Sequence, residues 1–275
     1  MRALAILAGN EIRDGLRNRW VAALILLLAG LALSLALLGS APSGTLRATP
    51  MSVTVASLAS LTVYLLPLVA LLLAFDALVG EQERGTLLLL LTYPVARWQV
   101  VLGKFLGHSL ILLAALLVGY GGAGLLLQFT GGADAASWGA YLGLLGSSWL
   151  LGSGFIALGY LVSALVRERA TAAGAAIVVW LLFVVLYDLA LLGLLLADTG
   201  QGLPPGLVAG LLLVNPTDVY RILNLTGTEA VSLVAGMAEA GRAAGYSPGL
   251  LVGLLCAWVV LPLGLTVARF QRREL

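Results

Sequence analysis

The chain has 275 residues, of which 61% are hydrophobic and 10% charged, with a formal net charge of +2 and a mean hydropathy of +1.05. Soluble proteins carry about 25% charged residues, so this composition excludes a soluble enzyme or binding domain, and the small net charge argues against a nucleic-acid partner. What remains is an all-α polytopic membrane protein, a single transmembrane domain over 1–275 whose helices satisfy their own backbone in the lipid bilayer.

Residues 1–19 are predicted to form an amphipathic interfacial helix. Ala5, Ala8, Ile12 and Leu16 recur at spacings of three and four, while Asn10, Arg13, Asp14, Arg17 and Asn18 face elsewhere. Six apolar stretches follow, at about 20–39, 58–79, 104–128, 140–166, 171–197 and 249–268, each long enough to span. The first reads as a signal anchor rather than a cleaved signal peptide, because its apolar run is too long and residues 1–19 precede it. Twelve of the fifteen Lys and Arg fall on one side of these six spans, leaving Arg47, Arg221 and Arg242 on the other. The positive-inside rule then predicts that both termini are cytoplasmic.

Between the second and third spans lies a charged loop at 80–103 that includes Glu81, Glu83, Arg84, Gly85, Thr86, Tyr93, Pro94 and Arg97. It is the natural place to meet a soluble partner, and it is predicted to fold as a short docking helix. Two carboxylates sit within spans, Asp76 near this loop and Asp188 deeper, and each costs about 2.5–3.5 kcal/mol at a helix centre. Asp76 is expected to reach interfacial water or a basic partner. For Asp188 a functional and a structural role stand equal. The single histidine, His108, precludes a multi-histidine site within one chain.

No G-x-x-x-x-G-K-[ST] occurs, so this chain has no phosphate-binding loop and no catalytic residues are proposed. The run 119–124 matches G-x-G-x-x-G, but it falls inside an apolar span with no strand before it, and close helix packing explains its small residues. Gly139-x-x-x-Gly143 also permits close helix approach, a weak signal for a dimer seam. Cys256, the lone cysteine, is expected to pack as a small hydrophobe in the last span.

Beyond the fifth span, 198–248 is predicted to be a structured outer segment. An apolar piece at 207–214 is too short to span and suits a re-entrant or interfacial position. Thr217 or Asp218 is then expected to cap a helix starting near Val219, with a second short helix from about 228 to 241–245. The cluster Asn215, Pro216, Asp218, Tyr220 and Arg221 is the densest polar group on this face, and Tyr and Arg are types enriched in binding hot spots. Two readings stand: these residues contact an outer partner, or they cap and brace their own helices.

The loop motif Glu81-x-Glu83-x-Gly85-Thr86-Leu87, with Leu90-Leu91-Thr92-Tyr93-Pro94, Arg97 and Leu102-Gly103-Lys104, resembles the first cytoplasmic loop of the type-2 ABC transporter permeases. Residues 14–20, 56–61, 71–76 and 213–221 extend the resemblance in order over most of the chain. They point within that family to permeases that serve the maturation of nitrous oxide reductase. The resemblance implies a homodimer in the bacterial inner membrane, two cytoplasmic ATPase subunits that carry ATP and Mg, and a periplasmic β-helical accessory protein. It also implies a role in supplying copper or sulfur to periplasmic nitrous oxide reductase.

Cu(I) favours thiolate and thioether, with imidazole acceptable, yet the spans offer only Cys256 and His108, with Met51 and Met237 in outer regions. No metal site is therefore expected, and a subunit that transmits motion or moves a sulfur species is favoured over a copper path. The other function classes are a type-2 exporter of another small or hydrophobic substrate, an intramembrane enzyme drawing on Asp76 and Asp188, and an ATP-independent carrier. The last would show inverted repeats.

Overall fold

A computed structural model describes residues 2–38, 50–87, 92, 94–130, 135–197, 205–225 and 245–272. Its elements in chain order are α1 (Arg2–Arg17), α2 (Arg19–Leu38), α3 (Pro50–Ala74), α4 (Val79–Glu83), α5 (Arg97–Leu116), α6 (Gly122–Phe129), α7 (Ala135–Leu165), α8 (Arg169–Leu181), α9 (Tyr187–Ala197), α10 (Pro205–Val214), α11 (Pro216–Leu225) and α12 (Pro248–Gln271). Two π-helical turns, Leu117–Gly121 and Leu182–Leu186, join α5 to α6 and α8 to α9. Among the described residues every regular element is helical.

Five helical stretches are long and apolar enough to cross a membrane: Val53–Glu83, Arg97–Phe129, Ser137–Leu165, Arg169–Ala197 and Pro248–Gln271. Two bent pairs raise the number to as many as seven, α1 with α2 at 74° and α10 with α11 at 109°. The chain is thus an all-α polytopic membrane protein with five to seven candidate spans. The first predicted span corresponds to α2, which qualifies only together with α1.

Helix α3 begins at Pro50, eight residues before the predicted start. Proline suits a first helical turn, where its missing N–H has no intrahelical partner to lose. Thr54, which interrupts the apolar run there, is fully buried. Met51, expected in an outer loop, is likewise buried in this helix.

Helix α7 is the axis of the bundle and packs most extensively against α3 and α12. In lipid, helices associate through close packing rather than through burial of apolar surface, and α7 permits that approach with small residues. A Cβ on Gly159 would lie 2.8 Å from the Cβ of Ala74 on α3. The 119–124 run works similarly: a Cβ on Gly119 would sit 3.0 Å from the Ala29 Cα of α2, and one on Gly124 2.8 Å from the Tyr141 ring. By contrast Gly139 and Gly143 face open space. Cys256 is exposed on α12 rather than packed in the core, so its thiol contributes nothing to the interior.

Helices α8, α9 and α12, with the π-helical turn between the first two, turn rows of leucine and valine outward, including Leu182, Leu186, Leu189, Leu196, Val260 and Leu261. Such faces suit hydrocarbon. The bundle has two unlike ends. One gathers α1, α4 and the starts of α5 and α8 with the end of α12, and holds most of the arginines; the other holds the α10–α11 corner.

Candidate functional site

At the arginine-rich end the chain leaves α3 at Ala74 and turns before re-entering a helix at Val79. The break would orphan backbone amides in an apolar setting. Ser163 of α7 prevents this, its Oγ accepting from the Leu78 and Val79 amides at 3.0 Å each. Asp76 sits in the break and finds the basic partner expected of it, pairing with Arg169 at 2.6 Å. Glu83 Oε1 accepts from the Arg169 backbone amide at 2.7 Å, capping the first turn of α8. Gly85 ends the element with φ of +71°, a conformation costly for any side chain.

This geometry presents Glu83, Arg84, Gly85, Thr86 and Pro94 at the surface. Tyr93 lies outside the described residues. Arg97 is partly buried and holds the end of α12, its Nη1 donating to the Phe270 and Gln271 carbonyls at 3.2 and 3.1 Å. Cations suit a helix C-terminus.

Glu81 is arranged differently from its neighbours. It turns inward to Lys104 of α5 at 2.7 Å, and Lys104 also binds Glu11 of α1. The Lys104 side chain is 5% exposed. A lysine this deep requires paired carboxylates, because an uncompensated charge there would cost several kcal/mol. His108 stands one turn along, with Nδ1 2.6 Å from the Tyr160 hydroxyl and Nε2 3.7 Å from Glu11. A cavity of about 450 Å³ opens beside this group, lined by Glu11, Asp14, Asp76, Lys104, His108 and Arg169 among others.

Glycines let α1 reach this position. A Cβ on Gly103 would lie 2.6 Å from the Leu7 Cβ, and one on Gly107 2.5 Å from the Glu11 Cβ. The face of α1 that meets α5 is therefore Leu4, Leu7, Ala8, Glu11 and Gly15, whereas Ile6 and Leu16 are exposed. The predicted stripe Ala5–Ala8–Ile12–Leu16 is split, with only Ala8 fully inside.

At the other end, α10 and α11 meet at Asn215. The sequence expectation placed the cap at Thr217 or Asp218. Instead Asn215 is the cap and Pro216 the first helical residue, with the Thr217 amide donating to Asn215 Oδ1 at 3.1 Å. The expected helix at 228–245 lies largely outside the described residues.

The polar cluster of this corner points inward. Asn215, Pro216, Asp218 and Tyr220 are buried, and the Arg221 side chain is 12% exposed. Arg221 bridges Asp188 at 2.8 Å and Asp218 at 2.6 Å. Asn215 Nδ2 and Thr217 Oγ1 donate to the Phe183 carbonyl inside the second π-helical turn, at 2.9 and 3.2 Å. Tyr220 shares a hydrogen bond of 2.9 Å with Ser148, and Asn224 pairs with Ser147. These contacts satisfy the polar groups that the corner buries, since burying one without a hydrogen bond is costly.

Further polar partnerships carried no sequence signal. Thr62 and Tyr120 share a hydrogen bond of 2.6 Å deep between α3 and the first π-helical turn, and the Tyr141 hydroxyl donates to the Tyr120 carbonyl at 2.5 Å. Residue type and spacing do not reveal such pairs, because their members lie 58 and 21 residues apart. An apolar cavity of about 620 Å³ lies on the α10–α11 side, lined by Ala140, Gly143, Trp149, Leu223 and Asn224 among others. Among the described residues no three His, Cys, Asp or Glu gather as metal ligands. His108 belongs to the arginine-rich end, and Cys256 faces outward on α12.

A family model described as ABC-2 family transporter protein matches residues 5–275. The chain is 47% identical over 271 residues to a Stutzerimonas stutzeri protein described as a probable ABC transporter permease protein NosY, with 97% of each chain covered. A Pseudomonas aeruginosa PAO1 protein of the same description is 46% identical over 271 residues, with 98% of each chain covered.

Proposed function

Since this chain belongs to the ABC-2 family of transporter permeases, we propose that it is the membrane subunit of a Nos-type ABC transporter in the bacterial inner membrane, supporting copper-site maturation of periplasmic nitrous oxide reductase. The observation that carries this reading is the near-full-length identity to two permeases named NosY.

In this reading the single transmembrane domain spans 1–275 with six transmembrane helices and both termini cytoplasmic, in keeping with the side on which twelve of fifteen Lys and Arg fall. Residues 1–19 lie in the interface, and the exposed Ile6 and Leu16 of α1 suit acyl chains there. Two copies of the chain assemble with two cytoplasmic ATPase subunits, which hold ATP and Mg. The loop at 80–103 docks in a groove of the ATPase through Glu83, Arg84, Gly85, Thr86, Tyr93 and Pro94, supported by the exposure of five of these six. Glu81 and Arg97 hold that loop to the bundle instead of facing the ATPase. A periplasmic β-helical protein docks at the far side, on the segment 198–248. There Asn215, Pro216, Asp218, Tyr220 and Arg221 shape the surface by fixing the corner beneath it.

The test is complementation. A denitrifying strain lacking its own permease of this kind should regain copper-loaded, active nitrous oxide reductase when this chain is expressed with its ATPase. Copper-free reductase, with the chain inserted and the ATPase bound, would refute the assignment. A second reading, export of a small hydrophobic molecule, draws on the 620 Å³ apolar cavity. It predicts ATP-dependent efflux of such a solute from vesicles without any rescue of the reductase.

A further inference from the structure

Helices α1 and α2 are consecutive in sequence, yet they diverge by 74° and touch little, whereas α1 runs along α5 over most of its length. The contact is at backbone distance, because Gly103 and Gly107 remove the side chains that would hold the helices apart. Into this seam Lys104 brings the one buried ammonium among the described residues, and it takes a carboxylate from each side, Glu11 of α1 and Glu81 of α4.

Leucines of similar volume would hold α1 without the desolvation cost of three ions. Apolar contact, however, tolerates sliding along a helix, whereas an ion held by two carboxylates defines one register. The second oxygen of Glu81, Oε2, is buried with no hydrogen-bond partner, so loss of Lys104 would leave that carboxylate wholly uncompensated.

We propose that Lys104 fastens α1, α4 and α5 into one body, which makes it a positioning residue for transport coupling and makes the N-terminal helix a moving part of the stroke. The inference rests on the reading that the exposed turn after α4 meets an ATPase. It adds that a push on that turn is delivered to α5 and α1 together, while α2 stays behind at the 74° bend.

The experiment uses the assembled complex in a Cys256→Ser background, with spin labels at exposed positions. One pair, Asn10→Cys with Leu106→Cys, spans α1 and α5; the other, Asn10→Cys with Ser34→Cys, spans α1 and α2. Between nucleotide-free and ATP-trapped states the first distance should hold constant and the second should shift. Lys104→Met should broaden the first distance. It should also lower reductase maturation per ATP hydrolysed, counted per assembled complex, by about tenfold, and Lys104→Arg should recover most of it. A purely structural role would reduce the amount of complex and leave that ratio alone. Should Lys104→Met fail to insert, Glu11→Gln cuts only the α1 arm and should loosen the first distance alone.

Three outcomes overturn the proposal: an α1–α5 distance that changes as much as α1–α2, two distances that both stay fixed on ATP trapping, or a Lys104→Met complex that couples normally. If the wild-type chain recruits no ATPase, the functional reading fails and takes this inference with it. If the complex assembles and turns over but the variant matches wild type, only this inference fails.

Discussion

Each end of the bundle contains the same small charged unit, one cation between two carboxylates. Lys104 stands between Glu11 and Glu81, and Arg221 between Asp188 and Asp218. The difference lies in where the arms come from. Those of Lys104 come from two helices, α1 and α4, that each precede a turn in the chain, and α4 leads straight to exposed residues. Those of Arg221 come from its own helix three residues back and from α9, beside a carbonyl already held by Asn215 and Thr217. One unit ties together parts that can move as a group; the other locks a corner. In lipid the same charge arithmetic serves both ends, and connectivity decides which role results.

That contrast can be broken most forcefully at the locked corner. Arg221→Ala leaves the buried Asp218 and the partly buried Asp188 without a counter-ion and should cost about 3–5 kcal/mol, read as a large drop in unfolding midpoint of the purified protein. A smaller effect is expected at the α1–α5 seam, where Gly107→Ala forces a methyl against Glu11 and the Ala8 carbonyl. Overpacking of this kind costs about 1–3 kcal/mol, and thermal unfolding should show it alongside easier proteolysis of α1. Tyr220→Phe deletes one hydrogen bond to Ser148 while keeping the ring, so the loss should be about 1 kcal/mol in denaturant titration. Least costly to the fold is Arg84→Glu. The exposed side chain should change stability by no more than about 0.5 kcal/mol, yet pull-down of the ATPase should weaken. If Arg84→Glu unfolded the chain while Arg221→Ala did not, the roles assigned to the two ends would have to be exchanged.

Much of this arrangement could be read from the residues. Length and hydropathy locate the long helices to within a few residues at most ends, because a spanning helix needs a continuous apolar run. The charged loop stands out for the same reason, as one of the few charged stretches in an apolar chain. Hydropathy fails where polarity is buried: it starts α3 late, since Thr54 counts as polar although it lies inside. It also says nothing about direction. Tyr220 and Arg221 read as surface residues by type, but their partners, Ser148 and Asp188, lie 72 and 33 residues away. Glu11 and Lys104 are 93 residues apart and unremarkable singly, so their union becomes visible only in three dimensions.

The two π-helical turns also bear on how this sequence can change over time. A π-helical turn carries one residue more than α-helical geometry needs, in effect an insertion absorbed without rotating the helix on either side. Leu117–Gly121 and Leu182–Leu186 are therefore the places in their spans where losing one residue would leave both flanking faces pointing as before. Deletions elsewhere in these spans would swing every downstream side chain by about 100°. The loss would be felt instead by the groups that use the widened turns: Tyr120 with its bond to Thr62, and the Phe183 carbonyl that anchors Asn215.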